Sequence, residues 1–272
     1  MIGTDYHIHT HYVGCAGSEM TIPAILEHAR RVERSSIAIT DHCDTPGRLA
    51  KNRMIRDELE RTDPGDLEVF FGCELNIQNL DGEFFLSPEQ VREERFELVL
   101  AGVHSTWFGP GEATLAQIIE RQIDLMCKVA SSPMVDVLVH PWWIPGSQFQ
   151  GELAEQFTSL ELVPDELTQR MVETCNANGT AIEFNVGATW AHPHTADEFK
   201  ASYTDYVAKW VELGARVALC SDAHSLARFD LLPRGEQVLA EIGLPDEQVW
   251  RPQNEPTVVG SKVITSKEVC NE

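Results

Sequence analysis

The amino-acid sequence predicts an α/β fold made of parallel βαβ units. The chain has 272 residues, a length that suits a single α/β barrel. Seven short runs rich in β-branched residues alternate with helical segments, an order that is typical of parallel strands. Several runs, such as residues 135–139, are almost entirely apolar, as expected of strands that are buried on both faces of a sheet.

Strands are predicted at the seven apolar runs, each followed by a polar loop. They cover residues 2–8, 36–40, 68–73, 98–103, 135–139, 181–186 and 217–220. Residues 79–82, with the sequence Asn-Leu-Asp-Gly, have the composition of a hairpin turn, so a small β insertion is predicted between Leu75 and Leu86. Residues 142–158 contain Pro145, Gly146 and Gly151 and are predicted to form a long loop.

Helices are predicted between the strands from their start and stop signals. Ser87 and Thr114 each open a capping-box sequence, and Pro88 occupies the first helical position of the former. Gly179 and Gly214 are expected to end two other helices, because glycine readily adopts the left-handed conformation of a helix stop. The six predicted helices begin near Thr21, Ser87, Thr114, Asp165, Thr195 and Pro233.

The composition excludes several classes of partner. Lys and Arg number 21 against 43 Asp and Glu, so the net charge is −22, and a surface this acidic repels nucleic acid. No apolar run reaches the ~18–20 residues that a membrane span requires. The seven cysteines form no CxxC pair and no signal peptide is predicted, so we expect a cytoplasmic protein with reduced thiols.

Histidines and carboxylates gather at the carboxyl ends of the predicted strands. They are His7, His9, His42, His104, His140 and His224, with Asp5, Asp41, Glu74 and Asp222. In an α/β barrel these ends converge on one face, where active sites are built. Imidazole and carboxylate groups are ligands of Zn, Mn and Fe, so we predict a metal site at this face.

The spacing along the first strand supports the same prediction. Residues two apart in a strand face the same side, so Asp5, His7 and His9 are expected to lie together. Any single histidine at a strand end could instead be a structural, hydrogen-bonded residue. The number of histidines that share this position favours metal binding over that alternative, since unpaired buried polar groups cost ~1–3 kcal/mol each.

The ordered motifs of the chain resemble the PHP (polymerase and histidinol phosphatase) family. They are Asp5-Tyr6-His7-Ile8-His9-Thr10, Thr40-Asp41-His42, Gly72-Cys73-Glu74, Gly102-Val103-His104, Val139-His140-Pro141 and Ser221-Asp222-Ala223-His224. The resemblance runs from residue 2 to about residue 224 and implies a distorted (βα)7 TIM-like barrel. We therefore predict a single PHP-type barrel domain over residues 1–245 and a peripheral C-terminal tail over residues 246–272.

The resemblance also implies two or three divalent metal ions, either Zn, Mn or Fe. The implied ligands are His7, His9, Glu74 and Asp222 for the first ion, Glu74, His104 and His140 for the second, and His42 and His224 for the third. Cys15 stands six residues after His9, where family members commonly carry a histidine. Its thiolate would be a softer ligand that favours Zn, whereas His11 or a merely packed Cys15 are the alternatives.

The predicted function is that of a metal-dependent phosphoesterase acting on a small phosphomonoester. A metal-bridging hydroxide is expected to be the nucleophile, with Glu74 and Asp222 holding the metals. Histidinol phosphate is one substrate that the resemblance suggests. A C–N hydrolase of the amidohydrolase type and a non-catalytic, metal-stabilised module are the alternatives.

Several further residues are candidates for substrate contacts. Arg48 and Arg228 follow proposed ligands and could bind the phosphate with forked guanidinium groups, although each could equally lie on a solvated surface. Asp41 could orient a metal-bound histidine, and Asn185 could contact substrate. Trp107, Trp142, Trp143 and Trp190 either line the site or pack beneath its loops.

Overall fold

Seven parallel strands pair in chain order and form a nearly closed barrel in the computed structural model. The structure describes residues 2–109, 111–142, 157–191, 195–254, 256 and 258–259. The strands are β1 (Thr4–Asp5), β2 (Ser36–Ile39), β3 (Glu68–Asn76), β4 (Leu98–Gly102), β5 (Val137–Leu138), β6 (Ala181–Asn185) and β7 (Val217–Cys220). The predicted distorted TIM-like barrel is confirmed.

Seven α-helices surround the barrel in the described residues. They are α1 (Ile22–Arg31), α2 (Pro46–Leu59), α3 (Pro88–Glu93), α4 (Leu115–Ala130), α5 (Asp165–Asn178), α6 (Asp197–Glu212) and α7 (Leu232–Glu241). Both predicted capping boxes are present, at Ser87 and Thr114. Helix α2 was not among the predicted helices, although Thr45 followed by Pro46 is the same kind of start signal. Each helix of the described chain is too short or too polar to span a membrane.

The segment after β3 differs from its prediction. No strand forms between Asn76 and α3, so the predicted β insertion is wrong. A tight turn takes its place, in which the Asn79 side chain accepts hydrogen bonds from the amides of Asp81 at 3.0 Å and Glu83 at 3.2 Å. The asparagine side chain therefore satisfies the backbone groups that strand pairing would otherwise have used.

The barrel closes between its first and last strands at the carboxyl end. Ile8 and Ala223 form a parallel bridge, with the Ala223 carbonyl accepting from the His9 amide at 3.0 Å. Below this bridge the Asp5 carboxylate accepts from the Ser221 amide at 3.0 Å and from the Ser221 hydroxyl at 2.5 Å. Burial raises the pKa of Asp5 to about 6. Asp5 thus joins the two strands and also accepts from the His7 amide at 3.4 Å, but it is not a member of the groups that could hold a metal ion.

The amino end of the barrel is filled by aromatic side chains. Trp250 is 5% exposed and packs edge-on against Tyr6, with ring centroids 5.5 Å apart, and Tyr6 in turn contacts Phe70. The Trp250 amide donates to the Val217 carbonyl at 2.9 Å. Further along, β8 (Val258–Val259) pairs antiparallel with β3. Residues 249–250 therefore contribute to the barrel core, while the proposed division of the chain at residue 246 remains a prediction.

Candidate metal centre

Four buried side-chain atoms converge at the carboxyl ends of β1, β3 and β7. The His7 Nε2 atom lies 3.5 Å from Glu74 Oε2 and 3.7 Å from Asp222 Oδ1. The His9 Nε2 atom lies 3.5 Å from the same Glu74 oxygen and 3.3 Å from the same Asp222 oxygen. The irregular end of β1 and the sharp turn after β7 bring these groups together from the two ends of the chain.

These four atoms fit a bound divalent cation. All four are buried and form no hydrogen bond of good geometry within the described residues, and His42 Nδ1 also lies 2.7 Å from Glu74 Oε2. Ligands that lie ~2.0–2.2 Å from a tetrahedral zinc ion are separated from one another by about 3.3–3.6 Å, which is close to the spacings observed here. Two imidazole nitrogens and two carboxylate oxygens are also a donor set that Zn, Mn and Fe accept.

A second donor group shares Glu74. Its other oxygen, Oε1, lies 2.9 Å from His140 Nε2 and 3.9 Å from His104 Nε2. Glu74 therefore presents one oxygen to each of two neighbouring donor groups. The four histidines and two carboxylates predicted for the first and second ions thus lie in two adjoining groups.

A third donor group lies on the solvent side of the first. Its members are His9, Cys15, His42 and His224. The Cys15 sulfur is 3.8 Å from His9 Nδ1, and the His9 and His224 rings stack with centroids 4.1 Å apart. His11, the alternative ligand, lies outside these groups, because its Nδ1 atom is hydrogen-bonded to the Met20 carbonyl at 3.1 Å. The structure therefore brings Cys15, not His11, to the third group.

The carboxylates of the cluster are held in the ionised form. Burial alone would raise the pKa of Glu74, but His42 and His140 lower it well below its usual range. The pKa of Asp222 is likewise lowered, against burial, by His7 and His224. A buried pair of ionised carboxylates requires positive charge nearby, which protonated histidines supply here and which a divalent cation could supply instead.

Two proposed ligands have strained backbone conformations. His140 has a φ of +30° and Asp222 a φ of +49°, values in the left-handed region that disfavours residues with a Cβ atom. Such strain costs about 1–3 kcal/mol per residue and is concentrated at functional sites. The turns after β5 and β7 therefore aim these side chains into the barrel mouth at a cost in stability.

Gly102 leaves the room that the His140 ring occupies. A Cβ atom built on Gly102 would lie 2.7 Å from His140 Cε1, closer than real contacts allow. We predict that Gly102→Ala displaces the ring, breaks its contact with Glu74 and lowers the metal content, while overpacking costs about 1–3 kcal/mol of stability. Elemental analysis and urea unfolding measure the two effects. Gly47→Ala is the control, since its Cβ meets nothing within 4 Å; wild-type metal content in Gly102→Ala contradicts the prediction.

A buried layer beneath the cluster was largely missed by the sequence interpretation. The Glu183 carboxylate lies 2.7 Å from His7 Nδ1 and accepts from the His140 amide at 2.6 Å. Its signal was present, since Glu183 is a charged residue inside the otherwise apolar strand β6. Asn185, predicted as a substrate contact, instead donates to Glu183 at 3.0 Å and to Asp222 at 3.1 Å.

Asp41 does not orient a histidine, contrary to its prediction. Its two carboxylate oxygens accept from the Thr10 amide at 3.1 and 3.0 Å. Burial raises the pKa of Asp41 to about 7. This carboxylate therefore fixes the chain just after His9.

The two arginine candidates lie in different surroundings. The Arg48 Nη1 atom donates to both oxygens of Asp44 at 2.8 Å, so its charge is already paired. The Arg228 Nη1 atom donates to the backbone carbonyl of Asp222 at 2.9 Å. Within the described part of the chain Arg228 forms no ion pair with a carboxylate. Among the described residues the Arg228 charge is therefore not neutralised by a carboxylate, and its guanidinium contacts the backbone of a proposed ligand.

The tryptophan candidates divide in the same way. Trp142 and Trp190 are buried and belong to the core, which supports the packing alternative for both. Trp107 is 39% exposed in the loop after β4 and remains available for contact. Trp143 and most of the predicted loop over residues 142–158 lie outside the described residues.

The barrel and its histidine–carboxylate cluster define the molecule as an α/β barrel with a candidate metal centre at the carboxyl ends of its strands. A family model named PHP domain matches residues 5–187. The chain belongs to the PHP domain family, as its motifs had predicted.

Curated relatives and a solved structure agree with this membership. A probable phosphatase of Caldanaerobacter subterraneus subsp. tengcongensis is 28% identical, with 90% of this chain and 85% of the relative covered. A probable phosphatase of Proteus mirabilis is 21% identical, with 89% and 87% covered. A Listeria monocytogenes structure provisionally named a histidinol phosphatase has a TM-score of 0.59 at 12% identity, covering 83% of this chain and 96% of its own, and shows the shared fold. The prediction of a hydrolase of the phosphatase class is confirmed.

Proposed function

We propose that the chain is a metal-dependent phosphoesterase that hydrolyses a small phosphomonoester. The observation that carries the proposal is the position of Glu74, whose two oxygens face two separate donor groups in one buried cluster. A carboxylate in that position can hold two cations side by side, as two-metal hydrolases require. The phosphatase relatives support the same reaction class.

The protein side chains divide the work of binding. Divalent ions at these groups would supply a nucleophilic hydroxide at neutral pH and offset the charge of the phosphate. The deepest donor group consists of His7, His9, Glu74 and Asp222, and each of these side chains is 6% exposed or less. His104 and His224 are each 26% exposed and form the open side, from which a substrate approaches.

Arg228 is the residue best placed to bind the phosphate. It follows His224 by four residues, donates to the Asp222 carbonyl at 2.9 Å, and forms no ion pair with a described carboxylate. Arg48, in contrast, would have to leave Asp44 before it could bind an anion. Arg48 is connected to the cluster indirectly, through Asn76, which contacts both Asp44 and His104, and through Asn52, which donates to the carbonyls of Arg48 and His42.

Substitution of the two arginines separates their roles. We predict that Arg228→Ala lowers kcat/KM about 10- to 100-fold without changing metal content, because a charge-assisted hydrogen bond contributes ~1.5–3 kcal/mol. Arg48→Ala is the matched variant and is expected to change kcat/KM by less than about threefold. Steady-state kinetics on the best phosphate ester and elemental analysis decide this; wild-type kinetics in Arg228→Ala excludes the arginine from phosphate binding.

A substrate screen tests the proposed activity itself. The protein is loaded separately with Zn, Mn and Fe and assayed against a panel of phosphomonoesters, including histidinol phosphate, and against cyclic and linear amides. Hydrolysis of phosphomonoesters alone supports the proposal. Hydrolysis of amides alone identifies a C–N hydrolase, and no turnover with bound metal identifies a metal-stabilised module.

The third donor group has its own prediction. If Cys15 is a ligand, Cys15→Ala loses one metal per chain and Cys15→His retains it, with a shift of preference away from Zn because sulfur is the softer donor. Metal stoichiometry by elemental analysis and an anomalous map around residue 15 provide the measurement. Cys127→Ala is the control, since that thiol lies apart from the cluster. Unchanged stoichiometry in Cys15→Ala removes the thiol from the site.

A further inference from the structure

Strand β6 supplies no ligand to the three donor groups, yet it contacts three of their members directly. Glu183, fully buried in this strand, lies 2.7 Å from His7 Nδ1. Its second oxygen accepts from the His140 amide at 2.6 Å and from Asn185 at 3.0 Å. One carboxylate therefore contacts three nitrogen atoms, which come from the segment after β1, from the turn after β5 and from β6 itself.

Asn185 extends this contact to the last strand. Its side-chain amide donates to Asp222 Oδ2 at 3.1 Å, while its oxygen accepts from the Ala188 and Thr189 amides in the helical turn that follows β6. That turn fixes the Asn185 side chain in one orientation. Asn185 and Glu183 therefore act as a continuous buried connection between β1 and β7.

Because of these contacts, one particular atom of His7 and one of Asp222 face the cluster. His7 uses Nδ1 toward Glu183, and its Nε2 atom faces inward without a hydrogen-bond partner in the described residues. Asp222 uses Oδ2 toward Asn185, and its Oδ1 atom faces inward in the same state. The two inward atoms lie 3.7 Å apart.

We propose that Glu183 is a positioning residue that sets the tautomer of His7, with Asn185 orienting Asp222 in the same way. A carboxylate can only accept, so His7 must carry its proton on Nδ1 and present the Nε2 lone pair to a cation. The same carboxylate holds the strained turn at His140 through its amide. This inference rests on the metal site of the proposed function, and metal binding alone can test it.

Glu183→Gln is the direct test. The variant keeps the size of the side chain but has only one acceptor oxygen for three donors. If that oxygen stays on the His140 amide, its amide group faces His7 Nδ1 and favours the tautomer with a proton on Nε2. We expect the affinity for the first bound Zn or Mn to fall about 10- to 100-fold, as is usual when a partner of a metal-binding histidine is lost. Competition with a chelating indicator measures this without any substrate.

Two further variants keep the test decisive. Glu183→Asp retains the carboxylate and is expected to recover part of the lost affinity, even where Glu183→Gln folds poorly. Asp136→Asn removes a half-buried carboxylate that accepts from the Val99 amide at 2.8 Å at the opposite end of the barrel, and should lower stability while leaving metal affinity unchanged. A merely structural Glu183 would behave like Asp136.

The tautomer provides a second readout. In ¹⁵N NMR spectra of the metal-free protein, the His7 imidazole should carry its proton on Nδ1 in the wild type and lose that preference in Glu183→Gln. Wild-type metal affinity together with an unchanged His7 tautomer in Glu183→Gln would overturn the inference. A wild-type protein that binds metal and hydrolyses no phosphate ester would refute the proposed function while leaving this inference standing.

Discussion

Glu74→Gln is expected to lose more than about 100-fold in phosphatase activity and to bind fewer metal ions per chain. Both oxygens of Glu74 face donor groups, and a glutamine offers one oxygen where two are needed. Mutation of a residue that only hydrogen-bonds to a metal ligand typically lowers metal affinity or activity about 10- to 100-fold. The loss of a ligand shared by two metal ions should therefore lower activity by more than that. The side chain lies at the barrel mouth and not in the apolar core, so the fold should survive.

The measurement combines turnover at saturating metal with elemental analysis and circular dichroism. Glu68→Gln is a matched control, because it lies on the same strand, exposed at the opposite end. Near-normal turnover of Glu74→Gln at full metal loading would remove Glu74 from its proposed role between two cations.

Trp250→Ala is expected to lower the free energy of unfolding by about 3–5 kcal/mol, the range for removing a large buried aromatic side chain. Trp250 is 5% exposed and closes the amino end of the barrel against Tyr6. Since no donor atom of the metal centre comes from this end, the metal content of the folded variant should be unchanged.

Urea unfolding of the wild type, Trp250→Ala and Trp107→Ala provides the comparison. Trp107 is 39% exposed, so its removal should cost less than about 0.5 kcal/mol. A loss below about 1 kcal/mol in Trp250→Ala would mean that the aromatic contact at the barrel floor contributes little to folding.

The sequence predicted the barrel and the membership of its cluster because both depend on local patterns. Apolar runs alternating with helices imply parallel strands, and the carboxyl ends of parallel strands meet wherever the sheet closes. His7, Glu74 and His140 could therefore be grouped without any knowledge of distances. Cys15, in contrast, could be assigned to the site only through the family resemblance.

The remaining features depend on contacts that no local pattern encodes. Asp5 has the spacing of a site residue, yet the seam between the first and last strands offers it the Ser221 amide and hydroxyl instead. Asp41 likewise accepts a hydrogen bond from the Thr10 amide, a contact that the sequence pattern does not predict. Glu183 could have been suspected, since an acidic residue inside an apolar strand requires a buried partner, but its partners lie on strands far away in the chain.

The closure of the barrel between Ile8 and Ala223 also determines the order in which the fold and the metal centre can assemble. The deepest donor group takes two members from the start of the chain, His7 and His9, and one from near its end, Asp222. During synthesis these groups cannot meet until β7 has left the ribosome and joined β1. A metal ion at the deepest donor group, as we propose, would therefore bind only after completion of the barrel, and it would connect the two ends of the sheet to each other.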